Sequence, residues 1–179
     1  MQRIYLTGPR ACGKTTVGAA LATACQAVFL DTDQVFCSRT GGSIADFVAR
    51  EGWDRFREEE HRTLRQVIEE TSGAGTAIIS TGGGIVLREE NRRLLHDTGL
   101  CLYLQVPVPE LVRRLAADPK AAQRPSLTGA GLQEEVADVV RSREPLYLAC
   151  AHTCLDGSQS PSLLCEIVLK LLKSHEIGD

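Results

Sequence analysis

A lysine followed by two hydroxyl residues, Lys14-Thr15-Thr16, closes the stretch Gly8-Pro9-Arg10-Ala11-Cys12-Gly13, and the spacing is that of G-x-x-x-x-G-K-[ST]. An apolar run at 4–7 reads as a short buried strand before it, and 17–22 reads as a helix after it. This strand-loop-helix setting is the one in which such a loop wraps phosphates. Successive backbone N–H groups curl round the anion, and the helix N-terminus adds partial positive charge. Gly13 lets the backbone come close, Lys14 reaches the outer phosphates, and the Thr15 hydroxyl is placed to ligate Mg²⁺. A plain tight turn before a helix has no need of Lys-Thr in this register. The stretch implies a nucleoside-triphosphate site.

A metal-bound triphosphate calls for an acid nearby, often an Asp ending a second apolar strand. The run 77–81 ends without one, whereas 28–30 ends in Asp31-Thr32-Asp33. Continued strand alternation would put both carboxylates on one side, at the carboxyl edge where α/β proteins bind ligands. One is then available to Mg²⁺ and the other to a hydroxyl substrate; a helix cap by Asp33 is the structural alternative. Gly82-Gly83-Gly84 follows the third strand. Three glycines in a row cost ordering entropy, so close approach of backbone to a ligand is expected, with a flexible turn as the alternative. Two helices also carry charge on apolar stripes. Glu60 falls among Phe56, Leu64, Val67 and Ile68, with Arg57 one turn earlier; Arg143 continues Leu132, Val136, Val139 and Val140. Buried charge must be paired or meet a charged ligand. Either Glu60 and Arg143 pair with each other, or Arg57 and Arg143 form a clamp for a carboxylate, with Glu60 holding Arg57.

The elements that must position these groups alternate between apolar runs and helical periods, which argues an α/β fold with a mostly parallel sheet. Strands are expected at 4–7, 28–31, 77–81, 101–105 and 152–156. Helices are expected near 15–25, 43–71 (broken around Gly52), 89–97, 109–117, 132–148 and 161–174. Ser43 and Asp54 read as helix starts and Gly99 as a stop. In the last helix Leu164, Ile167, Val168, Leu171 and Leu172 share the face that packs inward. The 179 residues suit one domain, 1–179, with no repeat or linker. A net charge of −3 without a basic stripe argues against nucleic acid as a partner. No apolar run has membrane-spanning length and no signal peptide is read at the start, so no membrane partner and a cytoplasmic location are expected. Seven scattered cysteines lack a C-x-x-C pair and fit a reducing compartment. Cys150, His152 and Cys154 lack the second ligand pair a metal cluster would need.

The segment 118–131 is rich in Pro, Gly, Ala and polar residues and keeps no period. A long loop in a compact domain is usually functional, and a phosphoryl-transfer site uses such a loop as a lid that excludes water. Arg124 is the charge it would bring; a plain surface loop is the alternative.

Taken together, these stretches resemble shikimate kinase, in particular the bacterial type II form. The likeness covers nearly the whole chain: the loop 8–16, Asp31-Thr32-Asp33-Gln34, Phe56-Arg57-Glu58-Glu59-Glu60, Thr81-Gly82-Gly83-Gly84-Ile85, Arg124-Pro125-Ser126-Leu127-Thr128-Gly129 and Arg143-Glu144-Pro145-Leu146-Tyr147. It implies the fold of P-loop nucleoside-monophosphate kinases, a three-layer α/β arrangement with a five-stranded parallel sheet in the order 2-3-1-4-5. It implies the reaction of ATP with shikimate to give ADP and shikimate 3-phosphate, on the route to chorismate. The resemblance assigns Ala11, Cys12, Gly13, Lys14, Thr15 and Thr16 to ATP, with Arg124 on the phosphates. It assigns Arg114 and the region near Pro161 to the adenine, and Thr15 and Asp31 to Mg²⁺. Asp33 would hold the shikimate hydroxyls and serve as candidate base, while Arg57, Gly82, Gly83 and Arg143 fix the acid. The segment near 33–62 would be a helical, substrate-binding part, and the enzyme a monomer. Ala11 stands where the family usually has Gly, and a positive φ there would bring strain or weaker ATP binding. A related small-molecule kinase, such as gluconate kinase, is the alternative reading. A nucleotide-binding regulator without transfer is a further one, against which Lys14, Asp31, Asp33 and Arg124 all count.

Overall fold

The computed structural model describes residues 2–73, 75–117 and 131–176, with side chains described as far as 173. Five strands form one parallel sheet: β1 (Gln2–Thr7), β2 (Val28–Asp31), β3 (Thr76–Ser80), β4 (Leu100–Gln105) and β5 (Thr153–Asp156), in the order β2-β3-β1-β4-β5. The α/β fold and strand order expected above are those found. Ile4, Tyr5 and Leu6 of β1 are fully buried because the central strand is covered on both faces, as parallel sheets require. Helix α1 (Lys14–Cys25) packs with α7 (Pro161–Glu176), where Leu164, Val168 and Leu172 join Ile4, Leu6, Val17 and Leu21 in one core. The other core gathers Tyr5, Leu64, Ile79, Leu95, Tyr103 and Tyr147, beneath α3 (Ile44–Glu70), α4 (Glu89–Asp97) and α6 (Leu132–Cys150). Helix α5 (Val108–Ala117) packs against α6.

Helix α3 starts behind Ser43, whose hydroxyl accepts from the Asp46 N–H, and loses helical geometry at Gly52 (φ 82°, ψ 168°). Two helical stretches therefore meet at the break expected around Gly52, and Asp54 lies in the first turn of the second. Helix α4 ends at Asp97 with Thr98 as its cap. Gly99 serves close approach instead: a Cβ there would lie 2.5 Å from the Arg3 carbonyl oxygen. The apolar pattern predicts no helix before 43, whereas the resemblance makes 33–62 helical, and α2 (Thr32–Thr40) is found there. Strand β2 stops at Asp31, whose carboxylate accepts from the Asp33 and Gln34 N–H groups and so caps α2. Asp33 thus sits in a first helical turn, and the strand alternation invoked for it does not apply. On α6, Val136 is buried and Val140 packs on the core, but Leu132 is largely exposed. All seven cysteines are free thiols; Cys12, Cys101, Cys150 and Cys165 are buried and Cys154 is exposed.

Arg3, at the start of β1, joins three segments far apart in sequence. Its guanidinium donates to Thr71 Oγ1 (2.8 Å), Thr98 O (3.2 Å), Ile68 O (2.9 Å) and Ser72 Oγ (2.9 Å). These bonds lie at the amino end of the strands, away from the loops that follow β1, β2 and β3. Arg3→Ala is expected to lose about 2 kcal/mol in a denaturant titration, given the net value of hydrogen bonds from a charged donor. Steady-state kinetics should stay unchanged.

Candidate active site

The strand order places the exits of β2, β3 and β1 side by side at the carboxyl edge, where open α/β sheets bind ligands. Ser80 pairs with Asp31 on one side and with Leu6 on the other. The phosphate-type loop, the Asp31 cap and the triple glycine therefore leave the sheet as neighbours. Cross-links hold that edge: Thr81 donates to the Leu6 carbonyl from both its N–H (3.1 Å) and its hydroxyl (3.0 Å), and the Gly82 N–H donates to Thr32 Oγ1 (3.0 Å).

Within the loop, Gly13 caps α1 at φ 101°, a conformation that glycine adopts without steric cost. Ala11 has φ 61°, so the condition set for strain is met, and a left-handed alanine costs roughly 1–2 kcal/mol. Lys14 is buried, and its ammonium donates to Gly8 O and Pro9 O, both at 2.8 Å, with Cys12 Sγ at 3.5 Å. Two of its three N–H bonds are thus well used, and the third meets only a weak acceptor. Thr15 Oγ1 donates to Asp31 Oδ2 (2.9 Å) and lies 3.5 Å from Ser80 Oγ, while Thr16 is exposed. Arg114 spans the side of the loop. It donates to Ala11 O and Cys12 O (both 3.4 Å) and to Gly157 O (3.1 Å), and is anchored by Glu110 at 2.7 Å. Hydrogen bonds from Arg113 and Arg114 pull the Glu110 carboxyl down to about 2.

Each of the three glycines faces a different neighbour. A Cβ on Gly82 would lie 2.7 Å from Asp33 Oδ1 and 3.2 Å from Glu60 Oε1; one on Gly84 would collide with the Arg57 guanidinium. Gly83 lies against the loop backbone, with Gly8 O and Arg10 N at 3.4 and 3.5 Å from such an atom. Protein groups thus already crowd the turn at Gly82 and Gly84, while the contacts at Gly83 are ordinary ones. Arg57 pairs with Glu60 at 2.6 Å and lies over the rings of Phe56 (4.9 Å) and Trp53 (5.4 Å). Arg143 donates to Gly83 O at 3.2 Å. Of the two arrangements left open for Glu60, the ion pair formed is the one with Arg57.

Burial pushes the Glu60 carboxyl up; Arg57 opposes this, Asp33 adds to it, and Arg143 opposes it more weakly. A folded value raised above the unfolded one stabilises the chain below the unfolded carboxylate range, and that stabilisation is lost as pH rises through the folded value. Glu60→Gln has no such titration. The melting-temperature advantage of the native chain over this variant is thus expected to be larger near about pH 4 than near about pH 7. An advantage growing with pH would mean that Arg57 outweighs burial.

Residues the sequence reading did not single out also reach the site. Thr32 holds Gly82, Ser80 lies beside Thr15, and the Tyr147 hydroxyl donates to Gly83 O at 2.5 Å. Tyr147 stands four residues after Arg143, one helical turn on, which was the available signal for it. Arg124 and the segment 118–130 lie outside the described residues, and Gly131 belongs to α6 as its N-cap.

The family model for Shikimate kinase matches residues 10–175. The chain belongs to the shikimate kinase family. Shikimate kinase 2 from Enterobacter sp. (strain 638) is 44% identical over 172 residues, covering 96% of each chain. Shikimate kinase 2 from Salmonella schwarzengrund is 45% identical over 177 residues, covering 98% of this chain and 95% of that one. Among solved structures, a shikimate kinase from Acinetobacter baumannii in complex with shikimate superposes with a TM-score of 0.88 at 31% identity, over 98% of this chain and 94% of that one. The activity of a shikimate kinase is ATP-dependent phosphorylation of shikimate, a phosphotransfer to an alcohol. A gluconokinase from Sinorhizobium meliloti shares only the fold, with 15% identity and a TM-score of 0.56, so the gluconate kinase reading is not favoured.

Proposed function

We propose that this chain carries the γ-phosphoryl group of ATP to the 3-hydroxyl of shikimate, with the groups at the carboxyl edge in distinct roles. The observation that carries the assignment is the meeting of two differently built half-sites. Lys14, Thr15 and Asp31 gather on one side, and Asp33, Arg57 and Arg143 gather round the triple glycine on the other. Lys14 offers its third N–H to the phosphate oxygens, with Ala11, Cys12, Gly13, Thr15 and Thr16 wrapping the triphosphate by their backbone N–H groups. Arg114, beside the loop and Gly157, flanks the adenine. Arg124 is offered by the sequence as a further cation for the phosphates.

Thr15 Oγ1, Asp31 Oδ2 and Ser80 Oγ are hard oxygen donors close together, and this fits Mg²⁺, which takes few protein oxygens and relies on phosphates and water. Thr15 and Asp31 would hold it, and when bound it neutralises charge on the phosphates. Arg57 and Arg143 take the acid of shikimate, with the backbone of Gly82 and Gly83 beside it. Asp33 orients the attacking hydroxyl and takes its proton. Phosphoryl transfer depends mainly on alignment and charge, and these groups supply both. The reading takes the enzyme to act as a monomer. Free thiols support a reducing, cytoplasmic setting, and no helix among the described residues is long and apolar enough to cross a membrane.

The test is a coupled ADP-release assay with shikimate, gluconate and nucleoside monophosphates as acceptors, with and without chelation of Mg²⁺. ADP release is expected with shikimate and Mg²⁺ only. Equal release with gluconate would overturn the assignment of the acceptor site, and undiminished release under chelation would overturn the metal role.

A further inference from the structure

Gly83 O accepts two hydrogen bonds from the same face of α6, from Arg143 Nη1 at 3.2 Å and from the Tyr147 hydroxyl at 2.5 Å. The two donors are four residues apart, so they lie one above the other on the helix. Pro145 stands between them, inside the helix. The Tyr147 ring is fixed independently: it is buried and stacks on Tyr103 of β4, with centroids 5.0 Å apart and planes 18° apart. We propose that Tyr147 is a positioning residue for the acceptor site, acting through Gly83 to set where the Arg143 guanidinium stands. The inference rests on the reading of Arg143 as a contact to the acid of the acceptor.

Arg143 gives one of its five N–H donors to Gly83 O and also stands close enough to act on the Tyr147 phenol, with most of its planar fork left over. Where that carbonyl stands therefore decides where the fork points. A single N–H at 3.2 Å is a loose hold, whereas the phenol at 2.5 Å is the tighter of the two. Tyr147 is itself held by β4, so it refers the triple-glycine turn to the rigid sheet instead of to a long, flexible side chain. Burial pushes the Tyr147 phenol well above its ordinary value, against the opposing charge and hydrogen bond of Arg143, so it stays a neutral donor. Without the hydroxyl the Gly83 peptide could turn, and Arg143 would follow it.

The experiment compares Tyr147→Phe, Arg143→Ala and the double variant by steady-state kinetics against shikimate and ATP, together with thermal melting. Tyr147→Phe is expected to raise the shikimate KM roughly 3- to 10-fold, the net value of one hydrogen bond, with the ATP KM unchanged. Adding Tyr147→Phe to Arg143→Ala is expected to change the shikimate KM no further, because the group being positioned is gone. A lower melting temperature with unchanged shikimate KM would make Tyr147 purely structural and overturn the proposal. A full additional loss in the double variant would also overturn it, since the tyrosine would then act independently of Arg143. If Arg143→Ala itself leaves the shikimate KM unchanged, the underlying site reading fails. That result differs from Arg143→Ala losing affinity while Tyr147→Phe does not, which rejects the tyrosine alone.

Discussion

Lys14→Met is expected to lower kcat by about 10³-fold while the chain still folds, a loss of the size seen when a preorganised donor to transition-state charge is removed. Methionine keeps the length of the stem, so the change isolates the ammonium. That ammonium is already gathered into the loop by Gly8 O and Pro9 O. Its third N–H meets only the weak Cys12 Sγ acceptor, which an incoming anion would replace. Losing the ammonium also takes a donor from both carbonyls, of which Pro9 O keeps the Cys12 N–H at 3.4 Å, so some loss of melting temperature should accompany the loss of rate. The measurement is turnover at saturating ATP and shikimate, with circular dichroism to establish that the variant is folded. A folded variant with near-native turnover would remove Lys14 from the chemistry and leave it a loop-holding residue.

The phosphate-type loop was legible from sequence because its geometry is local: strand, glycine, lysine and helix start follow one another within a few residues. The Arg57–Glu60 pair was legible for the same reason, being one turn apart on a helix. Helix α2 was not. Only Thr32 and Phe36 of its nine residues are buried, so it carries almost no apolar period. An acidic pair at the end of an apolar run then reads as strand throughout, although only Asp31 ends β2, and it caps the helix in whose first turn Asp33 lies. The glycine run shows a further limit. Sequence implied close approach, but not that Asp33 crowds Gly82 and Arg57 crowds Gly84 while the phosphate-type loop lies against Gly83, because those neighbours come from three separate elements. Tyr147 is the extreme case: its partner is a backbone carbonyl 64 residues away, and a carbonyl leaves no mark in a sequence.

Arg57→Ala and Arg143→Ala should each raise the shikimate KM on the order of 100-fold, the loss of a charge-assisted pair to a carboxylate, with the ATP KM nearly constant. Their stabilities should differ sharply. Arg57 is the ion-pair partner of the buried Glu60, so Arg57→Ala strands a carboxylate away from water, at a cost of about 3–5 kcal/mol. Arg143→Ala leaves Gly83 O still bonded to Tyr147 and should melt close to the native chain. The double variant Arg57→Ala/Glu60→Gln separates the two effects, because the neutral amide does not need a counter-charge. It should recover most of the lost melting temperature and none of the lost shikimate affinity. Recovery of both would mean that Arg57 serves only to balance Glu60, and the carboxylate clamp would then reduce to Arg143. Normal shikimate affinity in both single variants would place the acid elsewhere and leave these arginines as structural partners of Glu60 and Gly83.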